Sequence, residues 1–222
     1  MIRKPTVFVV DDDEAVLHSI TWMLRKEGLT VEAFDSPRAI LEVYDCSRPG
    51  CLVLDLRLPG MNGLELHRKL AERGCRHPFI MVTGHGEVPD AVEAMHEGAI
   101  DFIEKPYSRQ QLLNRIQQAL RRDAVDRKLE AERERLRRRL ATLTRRERQV
   151  LGMAVAGKMT KAIAGSLRLS PKTVEVYRSN VARKAQVETL SELIVGMVRL
   201  QIEPPKARRP TPKAKRSRRK AR

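Results

Sequence analysis

Thr6-Val-Phe-Val-Val-Asp11-Asp12-Asp13-Glu14 is a β-branched run that ends on a cluster of carboxylates. Four residues of uninterrupted apolar character cannot alternate between core and solvent, so the run predicts a strand buried on both faces. The same kind of run recurs down the first half of the chain, and strands are predicted at Thr6–Val10, Thr30–Phe34, Gly50–Leu54, Phe79–Val82 and Asp101–Ile103. Amphipathic stretches near 14–27, 36–45, 63–73 and 88–97, with another opening at Ser108, separate them. Strands in regular alternation with helices read as an α/β fold, a doubly wound five-stranded parallel sheet; in the flavodoxin-like order 2-1-3-4-5, strands one and three would flank the point where the order reverses.

In such a sheet, ligands sit beyond the carboxyl ends of the strands, at the point where the strand order reverses. Strand one ends in Asp11, Asp12 and Asp13, and strand three in Asp55. Strand four ends in Thr83, and strand five leads into Lys105-Pro106. Carboxylates brought this close repel one another unless a proton or a cation intervenes. A hard, all-oxygen donor set with no histidine or cysteine suits Mg²⁺. Such an ion, with Lys105, would neutralise the oxygens of a phosphoryl group carried on a nucleophilic aspartate, and Thr83 would hydrogen-bond one of them.

Residues 5–122 resemble the receiver domains of bacterial response regulators, the FixJ-like group in particular. The resemblance rests on Val-Val-Asp11-Asp12-Asp13-Glu14, Leu54-Asp55-Leu-Arg-Leu-Pro59-Gly-Met-Asn-Gly63, Val82-Thr83-Gly84-His85-Gly86 and Gly98-Ala-Ile-Asp-Phe102-Ile-Glu-Lys105-Pro106. It implies that Asp55 is the phosphoacceptor and that Asp11, Asp12, Asp55 and the carbonyl of Arg57 hold Mg²⁺. It makes Thr83 and Phe102 a switch pair, has Lys105 contact the phosphoryl group, and makes the Lys105-Pro106 bond cis. His85 and His96 invite a metal or catalytic reading, but for His85 the geometry of the Gly-His-Gly turn is the better explanation.

Charge divides the chain. Its net +16 splits into −2 over residues 1–122, +8 over 123–203 and +10 over 204–222. A slightly acidic front and a strongly basic back imply separate tasks, the back one facing a polyanion. From Leu112 to about Thr142 the pattern is helical, with Glu–Arg pairs such as Glu134–Arg138 four residues apart. Leu129, Leu136 and Leu143 recur every seven residues with Leu140 between, but their companions are charged, so a solvated helical linker is favoured over a coiled coil.

Four short helices follow. Thr144 and Glu147 form a capping box, and Gly157 stops that helix. A second helix covers Thr160–Leu167, Ser170-Pro171 opens a third reaching Ala185, and the fourth spans about Thr189–Gln201. Residues 142–202 resemble the four-helix LuxR-type helix-turn-helix through Leu143-Thr144-Arg-Arg-Glu147-Arg148-Gln-Val-Leu151, Gly157-Lys-Met-Thr-Lys161-Ala-Ile163-Ala164 and Leu169-Ser170-Pro-Lys-Thr173-Val174-Glu-Val176. The candidate DNA-binding residues are Lys172, Thr173, Val174, Glu175, Val176, Arg178, Ser179 and Lys184. Of these, Glu175, Val176 and Ser179 are base-edge candidates, and Lys172, Thr173, Arg178 and Lys184 suit phosphates. Val174 and Val181, seven apart, should also face the core, and Tyr177 should lie on the outward face. Glu175 is open between a solvated surface charge and a group that accepts from cytosine or orients an arginine. Thr160 and Tyr177 depart from the usual Asn and His of the pattern.

The domains expected are thus a receiver (1–121), a charged helical linker (122–141), an all-α helix-turn-helix domain (142–202) and a disordered basic tail (203–222). No apolar run approaches the roughly 18 residues of a membrane span, and no secretory signal is visible. Cys46, Cys51 and Cys75 show no metal or redox spacing and are expected to be reduced in a cytoplasmic protein. The resemblance implies a transcription regulator rather than an enzyme, with a sensor histidine kinase, double-stranded DNA and RNA polymerase as partners and a homodimer on phosphorylation. A phosphorylation-independent receiver with constitutive DNA binding is the alternative; a membrane-surface role for the tail lacks an apolar anchor.

Overall fold

A computed structural model describes residues 4–84 and 86–205; the basic tail beyond 205 and His85 lie outside the described residues. The chain divides into two compact units, Met1–Lys128 and Leu129–Arg222.

The first unit is a five-stranded parallel sheet of β1 (Thr6–Val10), β2 (Thr30–Phe34), β3 (Gly50–Asp55), β4 (Phe79–Thr83) and β5 (Asp101–Glu104) in the order β2-β1-β3-β4-β5. The predicted order is therefore the observed one. Alternate residues along each strand feed two separate cores. Val7, Val9, Cys51, Val53, Ile80, Val82 and Ile103 pack against Leu17, Ile20 and Leu24 of α1 (Glu14–Lys26) and Leu112, Leu113, Ile116 and Ala119 of α5 (Arg109–Ala141). On the other face, Phe8, Val10, Leu52, Leu54, Phe79 and Met81 meet α2 (Pro37–Val43), α3 (Gly63–Glu72) and α4 (Val88–His96) through Ile40, Leu64, Leu66, Leu70 and Ala94. Burial on both faces explains why the strands carry continuous apolar runs instead of alternation.

Two glycines are required by close approach. A Cβ at Gly50 would lie 2.1 Å from the Thr6 carbonyl oxygen, and one at Gly63 2.3 Å from that of Asp55. Asn62 caps α3 just there, in a reciprocal box with Glu65, so the chain after Asp55 turns immediately into its helix.

The second unit contains α6 (Arg145–Val155), α7 (Thr160–Leu167), α8 (Pro171–Ala185) and α9 (Leu190–Arg199). Thr144 and Ser170 cap α6 and α8 as predicted, and Gly157 takes φ 76°. Val150, Ile163, Ala164, Leu167 and Val174 form one small core. A second holds Leu151, Val181, Ala185, Leu190, Leu193, Met197 and Leu200.

Leu136, Leu140 and Leu143 belong to that second core, and Leu129 packs beside it. This corrects the solvated-linker reading: Leu136, Leu140 and Leu143 are buried against α9 and the end of α8. Arg133 donates to the Leu200 carbonyl, and Arg199 pairs with Glu132 at 3.1 Å on the same face. The Cys46–Cys75 pair is a second correction. Loops on either side of β3 bring these residues to a Cα–Cα distance of 5.0 Å, where they form a disulfide; only Cys51 is free.

Leu140 is 2% exposed. Leu140→Ala should therefore cost about 2–4 kcal/mol of the second unit's stability in urea unfolding. A cost below about 0.5 kcal/mol, as for a surface position, would restore the solvated linker.

Candidate functional site

Register decides which side chains meet. Val10 of β1 lies beside Leu54 of β3, so Asp11 and Asp55 emerge at the same level of adjacent strands. Thr83 pairs with Glu104 across β4 and β5, which brings Lys105 to the same edge. Lys105 Nζ donates to Asp11 Oδ2 at 2.6 Å and to Asp55 Oδ2 at 2.7 Å. Asp11 and Asp55 are buried, while Asp12 is exposed at the rim. One carboxylate oxygen from each of the three lies within 4.8 Å of the others.

Asp13 turns away from this cluster: its Oδ1 accepts from Ala15 N and Val16 N and caps α1. The backbone N–H of Arg57 donates to Asp55 Oδ1 at 3.1 Å, and the Arg57 side chain is exposed. The Lys105-Pro106 bond is cis, as the resemblance implied.

Burial pushes the Asp11 carboxyl above its ordinary value, against hydrogen bonds from Lys105 and from the Asp13 backbone, and the charge of Asp55 adds to the rise. Burial also pulls the Lys105 ammonium down, but its hydrogen bonds to Asp11 and Asp55 outweigh that and leave it raised. One ammonium thus holds two buried carboxylates, with a third at hand. Two buried oxygen ligands, a third exposed one and no nitrogen or sulfur donor fit a hard divalent cation that retains water.

Thr83 is fully buried, and Phe102 is half-buried against the second face of the sheet. Gly86 links them in a way the sequence reading missed. A Cβ there would lie 2.7 Å from the Phe102 ring and 2.8 Å from Thr83 Cγ2. The backbone of the loop after β4 is therefore in direct contact with both members of the pair. The second glycine of Gly-His-Gly was the available signal. His96 is exposed on the last turn of α4 and joins no cluster of metal-ligating residues among the described residues.

In the second unit, α7 and α8 are joined by three residues, with Arg168 in the left-handed region at φ 54°. The outward face of α8 presents Lys172, Glu175, Val176 and Ser179, all exposed, with Thr173 and Arg178 half-buried. Two predicted contacts are corrected. Val174 is 0% exposed inside the core of α6, α7 and α8, the core position its spacing from Val181 predicted, so it does not belong among the DNA-binding residues. Lys184 is bound to the buried Glu147 carboxylate at 2.7 Å, within the unit, rather than standing ready for a phosphate. Burial would raise Glu147, but Lys184 and the Thr144 cap outweigh it and hold the carboxyl low. Tyr177 also packs partly inward, against the same core as Val174.

The hydroxyl of Thr160, the residue that departs from the usual Asn of the pattern, donates to Glu175 Oε1 at 2.7 Å. The other oxygen, Oε2, faces Arg178 Nε at 3.7 Å. Glu175 is thus held from both sides on the exposed face of α8.

Residues 7–117 match the response regulator receiver domain family, and residues 141–197 match the bacterial regulatory proteins of the luxR family. The transcriptional regulatory protein FixJ of Bradyrhizobium diazoefficiens is 41% identical over 194 residues, 87% of this chain and 95% of that protein. The chain is a response regulator. The response regulator protein TodT of Pseudomonas putida is 37% identical, covering 90% of this chain and 88% of its own length. Among solved structures, the response regulator StyR superposes with a TM-score of 0.75 at 41% identity, over 88% of this chain and 98% of that one. Full-length FixJ from B. japonicum gives 0.55 at 40% identity, over 90% and 98%. The acidic edge of β1 and β3 is therefore a receiver pocket of the kind that binds Mg²⁺, and the helical unit carries a LuxR-type DNA-binding domain. No helix among the described residues is long and apolar enough to cross a membrane.

An acid whose folded pKa is raised costs stability once ionised: stability falls as pH rises from the unfolded value through the folded one. For this response regulator, Asp11→Asn should raise Tm at pH 7, and the gain should fade as pH falls toward the ordinary carboxylate range. Mg²⁺ at about 10 mM should raise the wild-type Tm, reversibly with a chelator. An equal Mg²⁺ shift in Asp11→Asn would exclude Asp11 as a ligand of the ion.

Proposed function

We propose that this response regulator takes a phosphoryl group onto Asp55 from a sensor histidine kinase and thereby controls sequence-specific DNA binding by its LuxR-type domain. The observation that carries this reading is the bridge from Lys105 to Asp11 and Asp55, which leaves a buried aspartate at the open edge of the sheet beside a fixed ammonium.

The Asp55 carboxylate is the nucleophile. Its attack on a phosphohistidine phosphorus forms the acyl phosphate, and the imidazole leaves. Lys105 shifts from the two carboxylates toward the incoming oxygens, whose charge of about −1.5 to −2 exceeds that of the carboxylate it served. Asp11, Asp12, Asp55 and the Arg57 carbonyl would hold Mg²⁺, which would supply further charge neutralisation. Thr83 hydrogen-bonds a phosphoryl oxygen, and Phe102 follows into the space it leaves. Because Gly86 touches both, the loop leading into α4 moves with them. Val88, Val92 and Met95 expose apolar surface on α4, which suits that helix to a homodimer formed on phosphorylation.

On DNA, Lys172, Thr173 and Arg178 serve phosphates, and Glu175, Val176 and Ser179 face base edges. The Glu175 carboxylate would repel phosphates if free to swing, and the Thr160 hydroxyl holds it where it can accept from a cytosine amino group. RNA polymerase is the partner of the DNA-bound regulator, which works in the cytoplasm.

Intact mass after incubation with Mg²⁺ and a small acyl phosphate should show one phosphoryl adduct, absent in Asp55→Asn and after prior chelation. A folded wild type that takes no adduct would overturn phosphorylation control and leave a constitutive DNA binder.

Selection from a random DNA library reads the second half. Glu175→Gln should relax preference at one base pair by about 1–3 kcal/mol. Thr160→Val should relax the same position in part, and Thr160→Ser should restore it. An unchanged profile in Thr160→Val, with Glu175→Gln altered, would remove Thr160 from the reading.

A further inference from the structure

The geometry points to Cys46 and Cys75 as a reversible thiol–disulfide site, oxidised by a hydroperoxide, whose state sets how firmly residues 119–128 of α5 are held against the loop before β3. The two residues are 29 apart in sequence, one after α2 and one before β4, and their Cα atoms are 5.0 Å apart. That separation lies within the range a disulfide spans. Cys75 is buried and Cys46 half-buried, so Cys46 is the sulfur an oxidant reaches first. The third thiol does not compete: Cys51 is fully buried on the opposite face of β3, and burial pushes its pKa far up.

What gives the pair a consequence is the segment it grips. Arg127 lies on α5 ten residues past the end of the receiver match. Its guanidinium donates to the Cys46 carbonyl at 3.2 Å, the Ser47 carbonyl at 2.9 Å and the Arg48 carbonyl. It also contacts His77, two residues after Cys75, at 2.7 Å. Tyr44 Oη lies 2.7 Å from His77 Nδ1, so the two cysteine loops are already joined by a polar contact beside the sulfurs. Asp123, 4% exposed, pairs with Arg127 at 2.9 Å and accepts from Gly50 N at 2.9 Å. The carbonyls that receive Arg127 therefore sit on the loop the disulfide anchors. With the bond open, residues 46–48 regain freedom and the array loses part of its preorganisation.

The step balances with a hydroperoxide as the named oxidant. The Cys46 sulfur attacks one peroxide oxygen; an S–O bond forms, the O–O bond breaks, and water or alcohol departs with the thiol proton. The Cys75 sulfur then displaces the hydroxyl of this sulfenic acid, forming S–S and releasing water with the second proton. Two thiols lose two electrons and the peroxide gains them; a dithiol reductant returns them through a mixed disulfide. Reversibility follows from compartment, a point that rests on the proposed role on DNA: disulfides in the reducing cytosol are mostly transient and redox-sensing rather than permanent.

The test uses the full-length chain and is independent of phosphorylation and DNA binding, so its failure leaves the proposed function untouched. Protein reduced with dithiothreitol, and protein then treated with hydrogen peroxide, are denatured, alkylated and weighed. The reduced chain should take up three alkyl groups, one per cysteine, and the oxidised chain one, mapping to Cys51. Native treatment with dithiothreitol should restore the three. Hydrogen exchange across 119–128 should be at least about threefold slower in the oxidised chain. Cys46→Ser and Cys75→Ser, either of which suffices, should abolish both the pairing and the difference in exchange. Three alkylations after peroxide, a bond that dithiothreitol cannot open in the native chain, or equal exchange in both states would overturn the proposal.

Discussion

Two buried carboxylates on neighbouring strands share a single ammonium, and much of the receiver is arranged so that they can. Asp11 and Asp55 would repel in a low-dielectric site, and the Lys105 bridge, at 2.6 and 2.7 Å, is what lets both stand there. The bridge requires β1 and β3 in register, a tight turn after Asp55 that only Gly63 admits, and β5 placed so that its end reaches the same edge. An arrangement that costs charge repulsion at rest is one that an arriving cation can relieve. The site is therefore poised by the same interaction that holds it together.

The second unit solves a different problem. It is too small for one large core, so it builds two, and it recruits the leucines of the long helix to complete the second. The ion pair of half-buried Lys184 with buried Glu147 ties the end of α8 to the start of α6 through the Thr144 cap. That leaves the first turns of α8, with Lys172, Glu175 and Val176, as the exposed surface. The buried and exposed sides of one helix thus separate scaffold from contact, and Lys184 and Val174 fall on the scaffold side.

Much of the site was legible because it is made of strand ends. A run such as Val7–Val10 before Asp11 fixes both the strand and the position of the carboxylate after it, and the parallel order then aligns Asp11, Asp55, Thr83 and Lys105. Helix caps at Thr144 and Ser170 were legible for the same local reason: a hydroxyl three residues before the amide it accepts from is a sequence pattern. By contrast, nothing within a few residues of Cys46 announces Cys75, nor does Arg127 announce the Cys46, Ser47 and Arg48 carbonyls. The heptad leucines had the right period, but period alone does not say which surface covers them.

What the sequence determined by itself were the quantities with short range: strand and helix identity, the capping residues, the acidic strand ends, the basic bias of the back half and the two family patterns. What only the tertiary structure decided were the partners. It bound Lys184 to Glu147, buried Val174, held Glu175 with Thr160, set Gly86 between Thr83 and Phe102, and joined Cys46 to Cys75. The physical reason is that secondary structure follows from periodicity and local hydrogen bonds, whereas each of these contacts depends on the angle and register at which whole elements pack, and that geometry is set by the cores rather than by the residues that meet.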